Sequence, residues 1–168
     1  IVSWEMPHMD PIHRISIVSR GISLGHTMME PTEHVHETKT RLTEHIAVML
    51  GGRAAENMIF KEMTTGASDD IAKATEVART MVVEYGMSEL GPINLETEQK
   101  TFYDQKTVSP VMASKIDEQI KKITDAGYKS AIAILAKLKK ELDIIAKELL
   151  SKETIDADSF IKLLGPKK

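Results

Sequence analysis

The sequence predicts a mainly α fold with a small β-hairpin or edge sheet, an α+β domain in one piece. Three observations carry that expectation. Apolar residues recur at helical spacing through most of the chain beyond Thr38. Two short alternating runs near the N-terminus flank Arg20-Gly21. No repeat, low-complexity segment or linker divides the 168 residues, which suffice for one core and are short for two. A single domain over 1–168 follows, with 1–86 as one half and 87–168 as a helical half.

Residues 1–12 read as irregular, because Pro7 and Pro11 flank His8-Met9-Asp10 and argue against a helix. "HRISIVSRG" then alternates, with Ile15 and Ile17 on one side and Ser16 and Val18 on the other. "GISLGHTMM" follows with Ile22, Leu24 and Met28 in phase; Arg20-Gly21 supplies the turn and Pro31 ends the hairpin. "TEHVHETK" is a polar connection. From about Thr38, Leu42, Ile46, Met49, Leu50 and Ala54 keep helical spacing to about Phe60. Gly51-Gly52 disfavour that helix by about 1 kcal/mol each relative to alanine, so another backbone is expected to come close there.

The next helix starts within "TTGASDDIAKAT" and carries Ile71, Ala74, Ala78, Met81, Val82 and Tyr85 on its apolar face, with Gly86 closing it. Residues 87–108 read as loop, punctuated by Gly91-Pro92. Ser109-Pro110 reads as an N-cap with proline at the first helical position. The long helix that follows runs through Ile116, Ile120, Ile123, Tyr128, Ile132 and Leu135, is interrupted by Gly127 and ends near Lys139-Lys140. A second helix carries Leu142, Ile145, Leu149 and Leu150, and a short third begins near Asp156. Together they form an αα-hairpin with a terminal helix.

Composition excludes several function classes. A net charge of −3 with mixed signs gives no general reason to bind nucleic acid. Cysteine is absent, so disulfides, thiolate metal sites and a cysteine nucleophile are ruled out. No apolar run approaches the length that spans a bilayer and no secretory signal stands at the start, so the chain is expected to be soluble. There is no G-x-S-x-G elbow and no phosphate-binding glycine loop; the Gly-Gly-Arg run lies within a helix.

Six histidines raise a metal site as a possibility. His34 and His36 fall on the polar connection and read as a solvated pair. His8 and His13 flank a proline-bounded turn, His26 lies in the second strand, and His45 reads as a boundary residue. None has the i, i+4 spacing that puts two imidazoles on one helical face. Asp69 and Asp70 remain. Carboxylates at a helix start accept free N–H groups and suit the dipole, which explains one acidic residue. Adjacent positions point about 100° apart, so two cannot share that task, yet residue chemistry alone still favours helix capping over ligation for both.

The longer string "TTGASDDIAKATEVARTMVVEYGMSELGP" resembles the peptidase domain of the FtsH family of ATP-dependent zinc metalloproteases. So do "DPIHRISIVSRGISLGHTMMEP", "LTEHIAVMLGGRAAE" and "LLSKETIDADSF", in the family's order, from Ile1 to about Leu164. The resemblance implies an FtsH-type helical peptidase domain, with 1–86 as its active-site half. It makes Asp70, the last residue of T-G-A-S-x-D, a ligand of Zn²⁺, while Asp69 takes the variable place and serves the helix start. Glu56, ending "GGRAAE", is expected beside the metal ligands or paired with Arg53. The second strand around Ser23, Leu24 and Gly25 is expected to receive an extended peptide substrate along its edge.

The family's H-E-x-x-H, which supplies two more ligands and the general base, does not occur in this sequence. In the family it stands just before the stretch matching "IVSWEMPHMDPIHRI". The polypeptide by itself is therefore expected to be inert as a protease. In the parent, the resemblance implies zinc-assisted hydrolysis of unfolded or membrane polypeptides, with ATP and Mg²⁺ acting through a separate AAA module. It also implies a homo-hexamer attached to the membrane by other segments, with the peptidase on the cytoplasmic side or its organellar equivalent. The competing expectation is a non-catalytic helical assembly or scaffolding module of an inactive relative.

Overall fold

Helix begins ahead of Pro7, where the prolines argued against it. The computed structural model describes residues 1–18, 25–32, 35–95 and 108–167, and its first element is a short helix, α1 (Val2–Glu5). A proline pushes the residue before it out of the α region. Met6 takes that extended conformation (φ −80°, ψ 120°) and stops the helix. Pro7 thus restricts one residue and leaves a turn free upstream, which corrects the irregular reading of 1–12. That turn is buried at Val2, Ser3 and Trp4.

The hairpin pairing is as expected, and the sheet is larger. β1 (Ile12–Ser16) pairs antiparallel with β2 (His26–Met29), Ile15 opposite Thr27 and Ser16 opposite His26. The Arg20-Gly21 turn lies outside the described residues. β1 is shorter than its alternation suggests, ending before Ile17 and Val18, each 41% exposed. Its other edge pairs with an unanticipated strand, β3 (Thr154–Asp156), giving the order β2-β1-β3. Ser16 is buried at this junction, where its hydroxyl lies 3.0 Å from Thr154 Oγ1 and its Oγ accepts from the Val18 N–H at 3.2 Å. A buried hydroxyl with two partners carries little desolvation penalty.

The helix expected to reach Phe60 is two helices. α2 (Lys39–Met49) starts at Thr38, whose hydroxyl accepts from the Arg41 N–H. After a break at Leu50 (φ −82°, ψ −3°), α3 (Gly51–Phe60) continues. A Cβ on Gly51 would lie 3.2 Å from Val2 Cγ2, whereas one on Gly52 would meet nothing within 4 Å. The glycine pair therefore admits a side chain of α1, and no backbone. α4 (Ser68–Val83) buries Ala74, Ala78, Met81 and Val82 as expected, but Tyr85 falls beyond its end and is 54% exposed. Gly86 follows with φ +61°.

α5 (Pro110–Lys137) opens as the sequence indicates, with Ser109 Oγ accepting from the Met112 N–H. Gly127 leaves this helix unbroken. A Cβ there would sit 2.7 Å from Ile46 Cγ2 and 3.3 Å from the Ala47 nitrogen. The close backbone approach expected at Gly51-Gly52 occurs here, between α5 and α2. α6 (Lys139–Lys152) begins after Leu138. α7 (Ala157–Leu164) is capped by the Asp156 carboxylate, which accepts from the Ser159 N–H at 2.8 Å.

Three apolar clusters hold these elements. Ile46, Met81, Val82, Ile116 and Ile120 fill the space between α2, α4 and α5. Val2, Ala54, Ala131 and Leu135 join α1, α3 and α5. Trp4, Leu138, Ile145, Ile155 and Phe160 join α1 to β3, α6 and α7. The C-terminal residues close over α1: Trp4 Nε1 donates to the Pro166 carbonyl at 3.0 Å, and the Lys167 ammonium donates to the carbonyls of Ser3 and Met6 at 2.6 and 2.5 Å. Among the described residues no helix is long and apolar enough to cross a membrane.

Candidate metal centre

The connection from α3 to α4 brings two acidic residues to one place. Lys61, in the left-handed region (φ 58°), ends α3. Thr64 is extended, and its hydroxyl accepts from the Gly66 N–H at 3.2 Å, opening a 3₁₀ turn over Thr65–Ala67 that runs into α4. From α3, Glu56 reaches this turn with both oxygens. Oε2 accepts from the Thr64 N–H at 3.1 Å and Oε1 from the Thr64 hydroxyl at 2.7 Å. The expected Arg53 partnership is replaced by this one. Thr64 offers two donors at once, and Arg53 adds only its charge.

Those bonds hold the Glu56 carboxyl below its ordinary value, through the Thr64 backbone N–H first and its hydroxyl second. The sign follows from the depression. The tether contributes stability that is complete above the ordinary glutamate value and is lost as pH falls through the lower folded value. An NMR titration of the Glu56 side-chain carboxyl should give a midpoint below 4.5, and Thr64→Val should move it back up.

Neither aspartate caps α4, whose N-cap is Ala67 with no side-chain bond. Asp69 stays in the first turn, where its charge suits the dipole, and pairs with Lys73 Nζ at 2.7 Å. Asp70 is exposed and has no hydrogen bond or ion pair among the described residues. It opens onto a cleft of about 460 Å³ between α3, the start of α4 and α6. Ala55 and Ile59 form one apolar wall, Leu142 and Ala146 the other, with Glu56, Asp70 and Asp143 as the acidic lining, the last paired with Lys139 at 3.1 Å.

Asp70 alone suits a metal as one donor of a larger set. Zinc is held by three or four ligands, of which a carboxylate oxygen can be one. Among the described residues no group of three His, Cys, Asp or Glu could hold a metal ion. None of the described histidines lines the cleft. His8 is engaged by Glu44, which accepts its backbone N–H at 2.9 Å and approaches Nδ1 to 2.7 Å. His36 is exposed, and His34 lies outside the described residues.

At the sheet, Ser23 and Leu24 lie outside the described residues. Gly25 immediately precedes β2, where a Cβ would come within 2.8 Å of the Ser16 carbonyl oxygen, so only glycine lets the two strands close here. β2 stands at one edge of the sheet. Two contributions to the site escaped sequence reading. Thr64 read only as part of a turn, although a threonine two residues before a glycine is an ordinary turn-capping signal. The α6 wall left no local trace, because it comes from a distant part of the chain.

The fold turns the Asp70 carboxylate, with Glu56 and Asp143, onto one cleft, and sequence likeness places the chain among the metallopeptidases. Residues 1–163 match the sequence model of Peptidase family M41, and the chain belongs to that family. It is 44% identical over 173 residues to the ATP-dependent zinc metalloprotease FtsH of Pseudothermotoga lettingae, covering 98% of this chain and 28% of that protein. The protein of the same name from Thermotoga maritima is 42% identical, with the same coverage of both chains. That from Magnetococcus marinus is 41% identical, over 98% of this chain and 26% of the relative. The chain thus spans between about a quarter and three tenths of the length of these relatives.

Proposed function

We infer that this domain is the peptidase portion of an ATP-dependent zinc metalloendopeptidase, with Asp70 as one zinc ligand. The observation that carries this reading is Asp70 itself: an exposed carboxylate with no hydrogen bond or ion pair among the described residues, in an intact T-G-A-S-x-D string, at a cleft shared with Glu56. Zinc supplies a Lewis acid that activates water and polarises a peptide carbonyl. The chain's own contribution is to hold the metal through Asp70, keep the turn before it in place, and offer β2 and Gly25 as an edge for an extended substrate. On this reading an H-E-x-x-H, which these 168 residues do not contain, supplies two histidine ligands and the general base.

The likeness to the FtsH proteins supports the remaining assignments. Substrates are unfolded or membrane polypeptides. ATP and Mg²⁺ act through another module, and the parent assembles as a homo-hexamer. Other segments attach it to a membrane, with this domain on the cytoplasmic side or the organellar equivalent. The test is zinc content and peptide hydrolysis in the full-length protein, with Asp70 intact and as Asp70→Asn. Near one zinc per chain, lost together with hydrolysis in the variant, is the expected result. Zinc that is absent would favour a non-catalytic assembly module, and zinc unchanged by the substitution would remove Asp70 from the ligand set.

A further inference from the structure

We propose that Thr64 is a positioning residue for Asp70, locked in place by Glu56. The proposal rests on the reading of Asp70 as a zinc ligand and adds how that carboxylate is held. The Thr64 hydroxyl works in two directions, donating to Glu56 Oε1 at 2.7 Å and accepting from the Gly66 N–H at 3.2 Å. The Thr64 N–H donates to Glu56 Oε2 at 3.1 Å. A continuous chain of hydrogen bonds therefore runs from α3 through Thr64 into the turn that opens α4, where Asp70 sits in the first turn.

Packing cannot do this work. Residues 61–66 are all exposed, and Ala67 alone is buried. With no apolar anchor before Ala67, the direction of the turn is set by the bonds to Glu56. A carboxylate suits position 56 because it accepts from both donors, the Thr64 N–H and hydroxyl. Glutamine could keep both contacts only by reversing one, its amide donating to the Thr64 hydroxyl, so an apolar residue is needed to break the tether. Gly66 belongs to the same arrangement, since a Cβ there would press on Thr64 Oγ1 at 3.3 Å. Both Glu56 oxygens are turned to Thr64, so Glu56 acts on the metal site through Thr64 and Asp70.

The full-length protein tests this by chelator competition for zinc, together with thermal melting and hydrogen exchange at the Gly66 amide in the metal-free state. Thr64→Val, which keeps shape and removes the hydroxyl, should weaken zinc about 10–100-fold, the usual effect of losing an outer-shell partner. It should also speed Gly66 exchange, and Thr64→Ser should restore both. Glu56→Met should match Thr64→Val, and the double variant should be no weaker than either alone, because one relay is broken once. If Thr64→Val lowers the melting temperature, Glu56→Met, which keeps a side chain of similar length without an acceptor for the Thr64 N–H, decides the matter. Wild-type zinc affinity in both variants, with affinity lost in Asp70→Asn, overturns the positioning role and leaves the ligand reading standing. Wild-type affinity in Asp70→Asn overturns both.

Discussion

Replacing Trp4 with alanine is expected to destabilise the domain by about 3–5 kcal/mol, the usual range for an aromatic lost from a packed core. Trp4 is 5% exposed and sits in the cluster with Leu138, Ile145, Ile155 and Phe160. Its ring meets Phe160 edge-on, centroids 6.4 Å apart and planes at 77°, a geometry that contributes beyond area burial. Its indole N–H donates to the Pro166 carbonyl, so truncation also strips that acceptor of its donor. Trp4→Phe should be milder, keeping an aromatic against Phe160 while losing the hydrogen bond. Urea denaturation followed by far-UV circular dichroism measures both, because Trp4 is the sole tryptophan and fluorescence would vanish with it. A loss within about 0.5 kcal/mol, typical of exposed positions, would show that α1 is not docked.

The second large effect is expected at Gly127. Any side chain there meets Ile46 Cγ2 at 2.7 Å and the Ala47 nitrogen at 3.3 Å. Alanine would gain up to about 1 kcal/mol of helix propensity. Overpacking a core costs about 1–3 kcal/mol and outweighs that gain. Valine adds two methyl groups to the same gap, so Gly127→Val should lie at or above the upper end of that range. The cause can be isolated through Ile46, which is fully buried at the contact. In an Ile46→Ala background the clashing methyl is gone, and Gly127→Ala should be much less harmful than in the wild type. Equal penalties in the two backgrounds would place the strain in the α2 backbone instead.

Legibility in the sequence followed how local each signal is. The Ser109-Pro110 start of α5, the hairpin pairing and the apolar face of α4 were plain because capping chemistry and periodicity act within a few residues. β3 was not legible. It has three residues, and its pairing partner β1 lies at the opposite end of the chain. α1 was hidden by giving Pro7 a longer reach than its sterics allow. The two glycine signals were read with their meanings exchanged: Gly127 marks a backbone contact and Gly51-Gly52 a side-chain contact after a break at Leu50. At the site, the T-G-A-S-x-D string pointed to Asp70. That Glu56 turns to Thr64 depends on the path of the intervening residues, which no spacing rule supplies.

The closure of the C-terminal residues over α1 bears on how the chain is made. Within the domain, α1 and β1 leave a ribosome before their partners Ile155, Phe160, Pro166 and Lys167. Until those partners emerge Trp4 has no native site to occupy, while the α2–α5 layer can assemble from segments already made. The nascent domain must therefore carry an apolar turn in the open until α7 is out, the interval in which a chaperone has most to protect.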